Sequence, residues 1–187
     1  GMNHTGEITP LVAMVRPQVA IVTTIALGRR IYDNLRKAMS FILAVHVPIA
    51  GMALMPLLFG MPLLLGPIHI AFLEMVIDPA STLIFQAEQA EPNIMKRKPR
   101  LIAQKLLNRG TLSIALIQGL VVLGFVAAQY FWLLSQDKSE PEVRSMTLAL
   151  MIVANFFLIM VNRSWSLGMI RTIRERTNKS VKWVIGI

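Results

Sequence analysis

The sequence contains no cysteine among its 187 residues. Disulfide frameworks and thiolate metal sites are therefore excluded. Acidic residues are also scarce, because ten Asp and Glu stand against 19 Lys and Arg, which gives a formal net charge of +9. Such an excess can indicate nucleic-acid binding, but here the basic residues flank apolar runs instead of forming one patch with aromatic residues. We therefore expect no nucleic-acid partner.

What the chain has in abundance is apolar sequence in long blocks. Hydrophobic residues make up 55% of it, and the mean hydropathy is +0.59. A soluble helical domain is a weaker alternative, because such domains are usually less apolar and disperse their apolar residues. About 20 apolar residues cross a bilayer as a helix. The pattern predicts an all-α, polytopic membrane helical bundle of about four spans plus the start of a fifth, with the lipid bilayer as partner, at residues 38–58, 68–87, 111–134, 145–162 and from 181.

The first 37 residues are predicted to form an N-terminal cytoplasmic segment and a stalk helix, and residues 38–187 the transmembrane domain. The stalk helix is expected to begin near Gln18 and to run into residues 28–37, whose basic side chains would lie at the membrane surface or, equally compatible with this stretch alone, on an ordinary solvated helix. Of the 19 Lys and Arg, all but Lys138 and Arg144 fall on one side of four spans. The positive-inside rule then predicts an integral membrane protein with a cytoplasmic N-terminus.

The second predicted span carries two carboxylates, Glu74 and Asp78, in an otherwise apolar run. Ionisable groups at this depth are costly and usually functional. Four residues advance a helix by about 400°, so both side chains lie on one face, one turn apart. Pro79 follows, and it leaves the carbonyl of Met75 without its helical donor. Three oxygen ligands favour a cation site, with the acids aimed inward; a buried polar pair that joins neighbouring helices is the alternative.

Polar residues in the other spans have less specific patterns. His46 lies near the middle of the first span, and a tight turn at residues 60–66 makes the first two spans antiparallel neighbours. His46 could therefore face Glu74 and Asp78 as a ligand, or serve as a structural group. Gly119 and Gly124 in the third span predict close helix contact. Asn155 in the fourth span predicts an interhelical hydrogen bond, and residues 87–110 a charged loop.

Three motifs in order resemble a known family. They are Gly28-Arg-Arg-Ile-Tyr-Asp-Asn34, the pair of spans with Glu74 and Asp78, and Glu91-Pro-Asn-Ile-Met-Lys-Arg-Lys-Pro-Arg100. Together they resemble the C-terminal membrane half of P-type cation-transporting ATPases, closest to the bacterial members of the calcium-pump-like branch. The resemblance covers about residues 20–187 and implies the inner membrane of a bacterium.

The resemblance implies roles for individual positions. Asp78 matches the family's ion-binding aspartate, while Glu74 and His46 fall where calcium pumps carry side-chain amides. Ile49 replaces a carboxylate, and Asn155 lies near an additional ligand position. The implied metal ligands are Glu74, Asp78 and His46. The transported cation would be calcium, another divalent cation or a proton.

Motifs that the family needs for catalysis are missing from these 187 residues. The sequence has no Asp-Lys-Thr-Gly phosphorylation motif, no Thr-Gly-Glu loop and no Gly-Asp-Gly-x-Asn-Asp segment. We therefore expect no catalytic residue and no resident cofactor; ATP and magnesium would act only in the intact pump. The chain would be a fragment, a truncated gene product or a split subunit, and its partners the missing pump domains or further copies of itself. It would supply the ion-binding segment of a pump or, alternatively, be a catalytically inactive membrane interaction protein derived from one.

Overall fold

The computed structural model describes residues 17–98, 106–136 and 138–164. Within these ranges the secondary structure is helical, without strands. Each of the four long helices is apolar enough to cross a membrane, which confirms the predicted fold class. Residues 1–16 of the predicted N-terminal segment and the predicted start of a further span at 181 lie outside the described residues. The helices are α1 (Pro17–Phe59), α2 (Pro67–Ala87), α3 (Arg109–Leu134) and α4 (Glu140–Asn162).

Helix α1 joins the predicted stalk and the first predicted span in one element. It has 43 residues, so it is about 65 Å long, roughly twice the thickness of a hydrocarbon core. The helix passes residues 37 and 38 without a break. The side chains near its N-terminal end, such as Val19 and Ile21, are exposed. Basic residues in the middle of α1 therefore do not interrupt the helix, because Arg and Lys are good helix formers.

The connection between α1 and α2 is a short apolar turn that is tied to the other two helices. Gly60 adopts a φ of 65°, which a residue without a side chain accepts easily. The carbonyl of Pro62 accepts a hydrogen bond from the hydroxyl of Tyr130 at 3.1 Å. The carbonyl of Leu63 accepts one from Arg144 at 2.9 Å. The turn therefore holds α1 and α2 antiparallel and anchors them to α3 and α4.

The four helices share one apolar core, in which a glycine allows close contact between α1 and α3. A Cβ placed on Gly119 of α3 would lie 2.6 Å from the carbonyl oxygen of Ala44 in α1. Pro48 has no N–H, so that carbonyl lacks its usual helical donor. No atom lies within 4 Å of a Cβ on Gly124. The prediction of close contact is confirmed for Gly119 and is wrong for Gly124, which faces away from the neighbouring helices.

Candidate cation site

His46 of α1 and Glu74 of α2 face each other across the helix pair, as their positions in antiparallel spans predict. The Nε2 atom of His46 lies 3.7 Å from Oε1 of Glu74. Both side chains are about half exposed, at 53% and 45%. This distance is too long for a hydrogen bond. It still allows both atoms to bind one ion at roughly 2.0–2.5 Å from each.

The hydrogen bond on the other ring nitrogen determines how His46 meets the carboxylate. Its Nδ1 lies 2.7 Å from the carbonyl oxygen of Ile42. A carbonyl can only accept, so Nδ1 carries the proton. In the neutral imidazole, Nε2 then presents a lone pair to the Glu74 carboxylate. Two acceptors facing each other are stabilised by a positive charge between them, whether a proton or a metal ion.

Asp78 lies one turn after Glu74, on a surface of α2 that the described helices do not cover. Its side chain is exposed. We expected both acids to be aimed at the interior, but Glu74 lies at the border between α1 and α2, and Asp78 lies outside the core. The reason is that α1 and α4 pack against other faces of α2, where Leu73, Ile77 and Ile84 are buried. The predicted ligands therefore line an open face of the helix pair.

The three predicted ligands do not form a closed cluster. Within residues 17–98, 106–136 and 138–164, no group of three His, Asp or Glu side chains is close enough to hold a metal ion. The structure brings His46 and Glu74 together and leaves Asp78 apart. Helix α2 continues through Pro79, so the carbonyl of Met75 lacks its helical donor and offers a further candidate oxygen on the same helix. Ile49 is buried in the core and supplies no ligand.

Asn155 of α4 is in an unusual position for an amide. It is 1% exposed, and neither its oxygen nor its nitrogen has a hydrogen-bond partner in the described part of the chain. The predicted interhelical hydrogen bond is therefore wrong. The amide borders a small cavity between α2 and α4, and its other lining residues are apolar because they belong to the core faces of the two helices: Val76, Ile77, Ala80, Ile152, Phe156 and Ile159.

Two buried ion pairs at one end of the bundle were missed in the sequence. Lys37 of α1 binds Glu91 at 2.5 Å, and their side chains are 0% and 2% exposed. Arg163, which follows α4, binds Glu88 at 2.9 Å, with exposures of 2% and 0%. We call these four residues the charge clamp. The segment after α2 folds back and covers Lys37, so this side chain pairs with a carboxylate. The position of the basic stretch at a membrane surface stays a prediction.

Comparison with known proteins gives a consistent family assignment. The family model "Cation transporting ATPase, C-terminus" matches residues 62–187. The sodium/potassium-transporting ATPase subunit alpha of Hydra vulgaris is 37% identical over 124 residues, which are 65% of this chain and 12% of that protein. The human sodium/potassium-transporting ATPase subunit alpha-4 is 34% identical over 128 residues, again 65% of this chain and 12% of that protein.

A bacterial relative is less similar but covers more of the chain. The calcium-transporting ATPase 1 of Lactococcus lactis is 26% identical over 165 residues, which are 87% of this chain and 18% of that protein. The chain thus spans less than one fifth of the length of each of these three relatives. The higher identity of the sodium/potassium-transporting relatives does not favour the calcium-pump-like branch that the motifs suggest.

Proposed function

Since the chain belongs to the family of cation-transporting ATPases, whose C-terminal model matches residues 62–187, we propose that it forms part of the ion-binding membrane segment of a P-type cation pump. The observation that carries the proposal is the pair of facing acceptors, Nε2 of His46 and Oε1 of Glu74, 3.7 Å apart in two membrane-spanning helices. Asp78 and the carbonyl of Met75 would add oxygen ligands from α2.

The open face of the helix pair supports a shared site. His46, Glu74 and Asp78 all lie on the side of α1 and α2 that the described helices leave uncovered. Additional helices of a pump would close the site from that side and supply its remaining ligands. ATP-dependent phosphorylation would likewise take place on protein segments other than these 187 residues, with ATP and magnesium bound there.

The ligand chemistry narrows the cation. Imidazole nitrogen suits transition-metal ions, whereas calcium prefers oxygen ligands. We propose a divalent cation that accepts nitrogen and oxygen ligands together, or a proton shared by His46 and Glu74. Calcium is the third possibility. We propose that the chain belongs to the calcium-pump-like branch and lies in a bacterial inner membrane, and the motifs and the Lactococcus lactis relative support this. The basic flanks favour a cytoplasmic N-terminus.

Cation binding by the purified chain in mild detergent tests the proposal. Isothermal titration with Ca²⁺, Mn²⁺, Zn²⁺, Mg²⁺, Na⁺ and K⁺ compares the unaltered chain with a Glu74→Gln, Asp78→Asn variant. We expect at least one cation to bind with a dissociation constant of about 0.1–1 mM, the weak end for carboxylate sites, and binding to be lost in the variant.

A matched control removes a carboxylate elsewhere. Glu140→Gln makes the same chemical change at an exposed position at the start of α4. Binding is expected to survive it. Binding that the Glu74→Gln, Asp78→Asn variant retains unchanged would show that the cation is held somewhere else, and the proposal would then be abandoned.

A membrane interaction protein without transport activity is the second candidate, and the uncovered face of α1 and α2 favours it. Large apolar side chains such as Leu57, Met75 and Leu83 are exposed there or nearby. Such a bundle would associate with an intact pump or with itself. Mass measurement in mild detergent separates this candidate from the first: a stable oligomer without cation binding supports it, and a monomer that binds a cation contradicts it.

A further inference from the structure

The charge clamp joins three segments that are far apart in the sequence. Lys37 comes from α1, Glu88 and Glu91 from the segment that follows α2, and Arg163 from the end of α4. The hydroxyl of Ser164 also lies 3.2 Å from both carboxylate oxygens of Glu91. All of these side chains are buried. The clamp therefore connects α1, α2 and α4 at a single level, at one end of the bundle.

Main-chain contacts strengthen the connection between α1 and α2. Glu88 directly follows the last residue of α2, and the final carbonyls of a helix have no donor within the helix. Arg30 and Asn34 of α1 each donate to the carbonyl oxygen of Glu88 at 2.8 Å. About two turns of α1, from Arg30 to Lys37, are thus engaged by a few residues after α2.

Buried ion pairs are poor explanations of stability, because removing charges from water costs about as much as their attraction returns. Their best-attested use is to specify one arrangement of helices over others. A slip of α2 along α1 by one turn, about 5.4 Å, would separate Lys37 from Glu91 and leave both charges buried without their partners. Apolar contacts in the core, such as those of Leu73 and Ile84, are less selective for height, since one apolar side chain can replace another.

We propose that the charge clamp is a positioning device, which fixes the height of α2 against α1 and so keeps Glu74 opposite His46. Lys37 lies nine residues before His46 on α1, and Glu88 ten residues after Asp78, so these two clamp residues are about 14 Å and 15 Å from the nearest candidate ligand along the chain. The purpose of the alignment rests on the proposed cation site, but the alignment itself does not.

Distance measurement between two spin labels tests the alignment without any cation. The chain has no cysteine, so Ile31→Cys and Met75→Cys provide unique labelling positions. Their side chains are 59% and 66% exposed, and they lie on α1 and α2 about 20 Å apart along the helices. Pulsed electron–electron double resonance on the chain in mild detergent should give one narrow distance distribution.

Two variants of the labelled chain separate charge pairing from folding. The first replaces the whole clamp by apolar residues: Lys37→Met, Glu88→Leu, Glu91→Leu and Arg163→Met. The distribution is expected to broaden and to gain a population displaced by about 5 Å, one helix turn. The second variant, Lys37→Glu with Glu91→Lys, reverses one pair of the labelled chain and is expected to keep the narrow distribution. Circular dichroism establishes that each variant is folded.

Arg97→Gln is the matched control. Arg97 lies on the segment after α2, like Glu88 and Glu91, and pairs with Asp33 of α1, but its side chain is 40% exposed. It is expected to leave the distance unchanged. An unaltered narrow distribution in the apolar variant would overturn the proposal. A reversed-pair variant that is folded but has a broadened or displaced distribution would overturn it too. If the apolar variant does not fold, the reversed pair decides alone.

The cation titration distinguishes this proposal from the proposed function. If the unaltered chain binds a cation, the apolar clamp variant should bind it about tenfold more weakly, as for other residues that orient ligands. If the unaltered chain binds none, the proposed function fails while the spin-label distances still test the clamp.

Discussion

The candidate cation site lies on α1 and α2, and the charge clamp, about 15 Å away, joins α1 to the segments that follow α2 and α4, yet the two treat charge in opposite ways. In the clamp, each carboxylate is buried and lies 2.5–2.9 Å from a cationic partner. At the candidate site, Glu74 is half exposed, faces an imidazole nitrogen at 3.7 Å, and has the exposed Asp78 one turn away. The clamp is complete within this chain, whereas the site still has ligand positions to fill.

This difference shows how one helix pair can combine rigidity with an adaptable site. Charges that are satisfied internally hold helices in place, because any displacement leaves them buried and unpaired. Charges that are only partly matched are free to receive a cation. The following changes test the contrast, from the largest expected effect to the smallest.

Breaking the clamp should have the largest effect. Glu88→Gln leaves the Arg163 guanidinium buried without its carboxylate, so we expect the free energy of unfolding to fall by about 3–5 kcal/mol. Unfolding of the purified chain in mild detergent, followed by circular dichroism, measures it. Glu140→Gln, at an exposed carboxylate, is the control and should change stability little. Equal stabilities of the two variants would contradict the contrast.

The contact of α1 with α3 gives the next effect. In Gly119→Ala, the added methyl group would lie 2.6 Å from the carbonyl oxygen of Ala44 and force the helices apart. We expect a loss of about 1–3 kcal/mol in the same unfolding measurement. Gly124→Ala is the matched control in the same helix: its methyl group meets no atom within 4 Å, so its better helix propensity should leave stability unchanged or slightly higher.

The amide of Asn155 should give a smaller effect of opposite sign. Asn155→Leu replaces a buried amide without partners by an apolar side chain of similar size, in a cavity that is otherwise apolar. We expect the free energy of unfolding to rise by about 1 kcal/mol. The melting temperature in detergent measures it, and a clear decrease would indicate that the amide has a polar partner in the folded protein.

The smallest effect is expected at the candidate site itself. Glu74→Gln makes the same chemical change as Glu88→Gln, but on a half-exposed side chain that is too far from His46 for a hydrogen bond. We expect stability to change by less than about 1 kcal/mol. Unfolding by the same method tests this, and a loss as large as that of Glu88→Gln would remove the distinction between clamp and site.

Much of the fold can be predicted from the sequence, because long apolar runs have few places to go other than a membrane-spanning helix. The facing of His46 and Glu74 also followed from the short turn at residues 60–66, which makes two spans antiparallel. The side-chain contact of Lys37 with Glu91 could not be predicted in this way. It depends on how the segment after α2 folds back. In the sequence, a basic residue at the end of a span looks the same whether it binds lipid headgroups or a carboxylate.

Asn155 and Asp78 are two residues for which a prediction of the side chain's surroundings was made from the sequence and was wrong. A single amide in an apolar span usually finds a partner on a neighbouring helix, and that rule fails for Asn155 because its neighbours on α2 are Val76, Ile77 and Ala80. The exposure of Asp78 depends on which face of α2 packs against α1 and α4. Apolar residues lie around most of α2, so the sequence does not determine that face.

Helix α1 is long enough to act as a lever about the charge clamp. It extends about 30 Å from Lys37 to its beginning at Pro17, and about 13 Å from Lys37 to His46 in the other direction. If α1 pivots as a rigid helix at Lys37, a sideways displacement of about 2 Å at Pro17 moves the imidazole of His46 by about 1 Å in the opposite direction. That stroke is enough to turn the 3.7 Å separation from Glu74 into direct contact, or to widen it until no single ion can touch both.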